Sequence, residues 1–186
     1  GELGFVKLFT NTSSNGELSF TPYNGGQNLV TVYNAGPSSL YISSSDLPAI
    51  DDVDGDGDID FLTFGNGGTR VEFHENVDNN CGIDLRLTDQ CWGKFIESGF
   101  YRTVDMGGCL GGNKTGPSGK VMHAGSGMLN WDLNNDQVND LLLTNVSYNN
   151  LSALYNTGTN DSVVFTSQDT MYPAPNPVDL FIFPVP

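Results

Sequence analysis

Basic residues are scarce. The 186 residues hold seven Lys and Arg against 22 Asp and Glu, for a formal charge of −15. So few cations leave little to contact phosphates, which argues against nucleic acid and anionic membrane surfaces as partners. No apolar run reaches about eighteen residues, so no transmembrane segment is expected. The N-terminus lacks the basic-then-apolar pattern of a signal peptide, and it opens on Gly1 instead of Met. That start is read as processing or as a piece of something longer. Cysteine is limited to Cys81, Cys91 and Cys109, without a C-x-x-C pair, and His74 and His123 lack ligand-like spacing, so zinc is not expected. One disulfide with one cysteine left over is the expected count, and all three pairings stay open. Runs of Lys, Glu and Ala are also few. Gly, Asn, Ser, Thr and aromatic residues dominate instead, which points to strands and turns.

What is abundant is aspartate, and it is concentrated. Seven aspartates lie between Asp46 and Asp60, in a stretch reading LPAIDDVDGDGDIDFLTF from Leu47. At an effective dielectric of about 20, two like charges ~4 Å apart cost roughly 4 kcal/mol. A hard divalent cation relieves that repulsion. Numbered from Asp52, the loop offers carboxylates at positions 1, 3 and 5 (Asp52, Asp54, Asp56) and glycine at 6 (Gly57). Position 7 supplies the Asp58 carbonyl, and position 9 is Asp60. This is the oxygen spacing of a calcium loop. The bidentate Glu of an EF-hand is missing, since Thr63 stands at position 12, and the flanks read as strands. Ca2+ in a strand–loop–strand setting is therefore the expectation.

The loop has an echo 80 residues on. WDLNNDQVNDLLL places Asp132, Asn134, Asp136, Val138 (through its carbonyl) and Asp140 at the same positions, and the same offset carries Asn76 onto Asn156. A partial third copy ends a strand at Asn11, with Phe20 nine residues later, as Leu85 follows Asn76 and Phe165 follows Asn156. Each unit reads as a calcium loop followed by antiparallel strands, like one blade of a propeller. The expected layout is one all-β domain over 1–186. It comprises a partial blade at 1–22, a blade with the first loop at 40–88 and a Cys/Gly-rich surface insertion at 91–120. A blade with the second loop at 121–168 and a Pro-rich C-terminal strand at 169–186 complete it.

The residues DVDGDGDIDFLTF, VEFHEN, DLNNDQVNDLLL and ALYN resemble the FG-GAP/VCBS repeat family. CWGKFIESG and HAGSGML look like a subgroup found in large secreted bacterial surface proteins. The resemblance spans most of the chain and implies antiparallel propeller blades, calcium held in the Asp-rich loops, and an extracellular or cell-surface setting. In the second loop Gln137 replaces the glycine at position 6 and Asn134 replaces an Asp, so a weaker site is expected there.

Catalytic readings fare poorly. Ser126 beside His123 lacks the first glycine of a nucleophile elbow, because Ala124 occupies it. Cys109 with His123 lacks an electropositive surrounding. The well-spaced carboxylates are accounted for as cation ligands, so no enzyme is expected. Trp92 and Trp131 could stack on glycans, but strand aromatics more often pack, and Trp131 is expected to be buried. Sequons at Asn11, Asn113, Asn145, Asn150 and Asn160 permit glycosylation and show no more. The expected function is a non-catalytic calcium-binding structural or adhesive module, its partners being other blades of the same chain. The alternative is a filament protomer joined head to tail by strand donation through 178–183, whose apolar run would be an exposed edge if unpaired.

Overall fold

The computed structural model describes residues 4–65, 68–78, 82–98, 102–109 and 125–180. Cys81, Asn113, His123 and residues 181–186, to which sequence readings were attached, lie outside the described residues. The chain is all-β. Its strands are β1 (Phe9–Asn11), β2 (Phe20–Pro22), β3 (Val30–Tyr33), β4 (Gly36–Ser39), β5 (Ala49–Asp51), β6 (Asp60–Phe64) and β7 (Val71–Asn76). They continue as β8 (Leu85–Asp89), β9 (Phe95–Glu97), β10 (Val104–Met106), β11 (Ser126–Trp131), β12 (Asp140–Asn145), β13 (Leu151–Asn156) and β14 (Phe165–Tyr172). Two larger sheets carry the fold, with orders β4-β3-β8-β7-β6-β5 and β11-β12-β13-β14, and β1-β2 and β9-β10 form separate hairpins. None of the sheets closes on itself.

Alternation along the strands explains the layers. In β12, Leu141 and Leu143 face a central core while Leu142 faces the opposite side. In β6, Leu62 and Phe64 enter the same central core and Phe61 the opposite side. Both strands are covered on two faces, which is why they read as nearly unbroken apolar runs. The central core lies between the sheets. The outer face of the first sheet is capped by Val6 and Leu8, and that of the second by Tyr172 and Val178.

The sheets meet beside their edge strands β5 and β11. Leu47 bridges Gly127 in parallel, its N–H donating to the Ser126 carbonyl at 2.9 Å and its carbonyl accepting from the Met128 N–H at 3.0 Å. The buried Asp46 carboxylate accepts the Ser126 N–H at 3.1 Å. Gly125 makes the approach possible: at φ +122°, a Cβ there would stand 2.6 Å from the Ser45 carbonyl oxygen.

Several sequence expectations need correction. The sheets are not wholly antiparallel, because β3 joins β8 in parallel (Thr31 with Leu85) and widens the first unit to six strands. Within the expected 91–120 insertion, the described residues Trp92, Phe95 and Val104 fill the central core instead of lying on the surface, and a disulfide joins Cys91 to Cys109. Trp131 is 62% exposed, since at the end of edge strand β11 it turns outward with Leu129 while Met128 and Asn130 turn inward. At the C-terminal side, residues 173–180 hold no strand. The Val178 and Leu180 amides donate to the Tyr172 and Asn149 carbonyls of the same chain at 3.1 and 2.9 Å.

Candidate metal centre

The first acidic loop spans the turn from β5 to β6. Carboxylate oxygens of Asp52, Asp54 and Asp60 gather within 4.8 Å of one another, the one such grouping among the described residues. Oxygens bound at about 2.3–2.6 Å on opposite sides of a Ca2+ stand about 4.6–5.2 Å apart, so the three fit a common centre. The donor set is all oxygen, which suits a hard cation and not zinc.

Local bonds explain how the loop holds this shape. Asp52 accepts the Gly55 N–H at 2.8 Å and the Gly57 N–H at 3.1 Å through its two oxygens, and Asp54 accepts the Asp56 N–H at 3.2 Å. Gly55 and Gly57 have φ of +87° and +100°, a conformation in which any larger residue is strained. Asp60 is 1% exposed and receives two backbone donors, Val53 N–H at 3.0 Å and Asn76 N–H at 2.8 Å. Burial pushes its carboxyl up to about 7. Those two hydrogen bonds oppose the shift, and the Asp54 and Asp56 charges add to it. The Asp54 carboxyl is also raised, first by desolvation.

Two of the sequence-derived ligands stand apart. Asp56 is exposed, outside the converging trio, and its Oδ1 accepts the Asp58 N–H at 3.1 Å. Asp58 is expected to offer its carbonyl, yet its side chain is the unusual part: Oδ1 is buried without a hydrogen-bond partner. Desolvation, then the charges of Asp56, Asp52 and Asp78, raise that carboxyl. Asp58 thus carries an orphaned buried carboxylate oxygen in the same loop, though outside the converging trio.

The second loop repeats the main bonds of this framework. Asp140 accepts Leu133 N–H at 3.1 Å and Asn156 N–H at 2.8 Å, 80 residues beyond the Val53–Asp60 and Asn76–Asp60 bonds. Asp132 accepts Gln137 N–H at 2.8 Å and Asp136 N–H at 3.1 Å, and the Val138 N–H donates to Asp136 at 2.9 Å. Desolvation pushes the Asp132 carboxyl upward, but backbone N–H groups led by Gln137 outweigh it and hold it below its ordinary value. The Asp140 carboxyl is raised, mainly by burial. The carboxylates do not converge, however. Asn134 Nδ2 donates to Asp136 Oδ2 at 2.9 Å, so an amide takes up charge that a cation would otherwise neutralise. Gln137 is held at φ +73° and Asn135 at +64°, where the first loop has glycines.

Sequence reasoning marked Asn76 and Asn156 only by their spacing. Their side chains build the next turn: Asn76 Oδ1 accepts the Asp84 N–H at 2.9 Å, and Asn156 Oδ1 the Val164 N–H at 3.0 Å. Asn11 repeats this in part, accepting the Ser13 N–H at 2.9 Å. Asn160 was noted only as a sequon, yet it stands between the loops. Its Oδ1 accepts the Asn139 N–H at 2.7 Å, and its Nδ2 lies 3.4 Å from where a Gly55 Cβ would sit. Of the other described sequons, Asn11 is exposed, Asn145 donates its amide to Glu97, and Asn150 is buried. No protein-family model, curated protein or solved structure matches the chain. No helix among the described residues is long and apolar enough to cross a membrane.

Proposed function

We propose that the chain is a calcium-braced pair of propeller-blade units of the FG-GAP/VCBS type, serving as a non-catalytic structural or adhesive module of an extracellular surface protein. The observation that carries this reading is the convergence of Asp52, Asp54 and Asp60 in a loop whose supporting bonds recur 80 residues later. Calcium is the cation that such a loop suits, because flexible oxygen ligands around a glycine turn accommodate its larger, irregular shell. The Cys91–Cys109 disulfide fits an oxidising compartment outside the cell. Head-to-tail strand donation is the less favoured assembly, since releasing residues 178–180 would break the Val178 and Leu180 bonds to their own chain.

The test is thermal unfolding with calcium and with a chelator. A ligand at about 100 times its Kd stabilises the folded state by ~2.7 kcal/mol, which for a chain of this size raises Tm by roughly 5–10 °C. Asp54→Asn should remove most of that gain. Superimposable melting curves with and without calcium would sink the reading.

A further inference from the structure

Away from the acidic loops, the turn between β12 and β13 closes over a cavity of about 20 Å3. Glu97, Arg102, Tyr148, Asn150 and Ser152 contribute to its wall. Asn150 is 5% exposed; its Nδ2 donates to the Thr170 carbonyl at 2.6 Å, while its Oδ1 is buried with no hydrogen-bond partner. Leaving a buried acceptor unmatched costs ~1–3 kcal/mol, so one hydroxyl-sized donor, a water or a hydroxyl of a ligand that displaces it, is favoured beside Asn150. The surrounding wall is already assembled. Glu97 Oε1 accepts from Ser126 Oγ at 2.7 Å and from Asn145 Nδ2 at 2.8 Å, and Ser152 Oγ donates to the Arg102 carbonyl at 3.3 Å. The Arg102 guanidinium stands over the Tyr148 ring, 5.9 Å from its centroid.

Charge and size narrow the occupant. The Glu97 carboxylate disfavours an anion, and Arg102 on the same wall disfavours a cation. A neutral hydroxyl avoids both penalties, donating to Asn150 Oδ1 while its own lone pairs remain free for the polar wall. A water-sized group needs about 10–15 Å3, so this cavity admits one hydroxyl but not a ring. The ring that bears the hydroxyl must stay at the mouth, where half-exposed Tyr148 offers an apolar body and exposed Arg102 offers donors. We propose that this cavity is a binding site for a neutral sugar, one hydroxyl of which enters to meet Asn150.

The experiment titrates the full chain separately with glucose, galactose, mannose and N-acetylglucosamine, following the Asn150 side-chain amide by NMR. At least one of these sugars moves that resonance saturably. Tyr148→Ala weakens the same binding roughly three- to tenfold while the rest of the spectrum stays unchanged. Glycerol is the control that carries hydroxyls without a ring. An equal response to glycerol shows that any hydroxyl fills the cavity and overturns the sugar assignment. The proposal is also overturned if no sugar shifts Asn150, or if Tyr148→Ala binds as tightly as the parent chain.

Discussion

Asp60 does two jobs at once, and they can be separated. Its carboxylate brackets the loop by accepting the Val53 and Asn76 amides, and it stands among the converging oxygens. Asp140 brackets the second loop in the same way but lies outside any such convergence. Asp60→Asn and Asp140→Asn each leave a buried backbone donor poorly matched, at a cost of ~1–3 kcal/mol. Urea unfolding in calcium should show Asp60→Asn as the costlier change, with the excess vanishing under chelator; equal costs in calcium would contradict the assignment. Proton linkage gives a second readout. The folded Asp60 carboxyl is raised to about 7 from 3.8, so its contribution to stability is fully present below about pH 4 and is lost as pH rises through 7. The chelated protein should therefore lose stability across that window, and Asp60→Asn should flatten the slope.

At the scale of the element, the two loops share a backbone path but not the residues that make it easy. Gln137 at φ +73° does what Gly57 does at +100°. Holding a non-glycine residue there costs roughly 1–2 kcal/mol, partly offset by glycine's greater freedom when unfolded. Gln137→Gly should stabilise the chain by about 0.5–1 kcal/mol in denaturant titrations; a loss of stability would refute the strain. This element was the most legible in the sequence. The spacing put Asp52, Asp54 and Asp60 in one loop, and their carboxylates do gather there, because a tight loop leaves few ways to arrange alternate side chains. Asp56, given the same role by the spacing, lies outside the trio, which alternation along the loop does not foretell. Trp131 was placed on the right strand and the wrong face, because the sequence does not say which of the two alternating faces of β11 meets the core. Trp92, Phe95 and Val104 sit among glycines and cysteines in sequence, and the gap they fill lies between two sheets distant in the chain. The parallel β3–β8 joint was invisible for the same reason.

Across the whole molecule, Asn160 is the side chain through which one loop can sense the other. It fixes the Asn139 amide in the second loop, and its Nδ2 lies 3.4 Å from where a side chain at Gly55 in the first would begin. Calcium binding should therefore slow hydrogen exchange at Asn139 as well as around Asp52. Asn160→Ala should abolish the remote protection while keeping the local effect; persistent protection at Asn139 would show that the loops communicate by another route. The joint between β3 and β8 bears on how the chain is made. Thr31 waits for Leu85, more than fifty residues later, before its inner neighbour exists, whereas β12, β13 and β14 each pair with the strand just before them. Closing so long a loop is paid in chain entropy before any contact returns it. On the ribosome, β3 and β4 thus emerge as an unsupported hairpin, and they stay one until β8 follows.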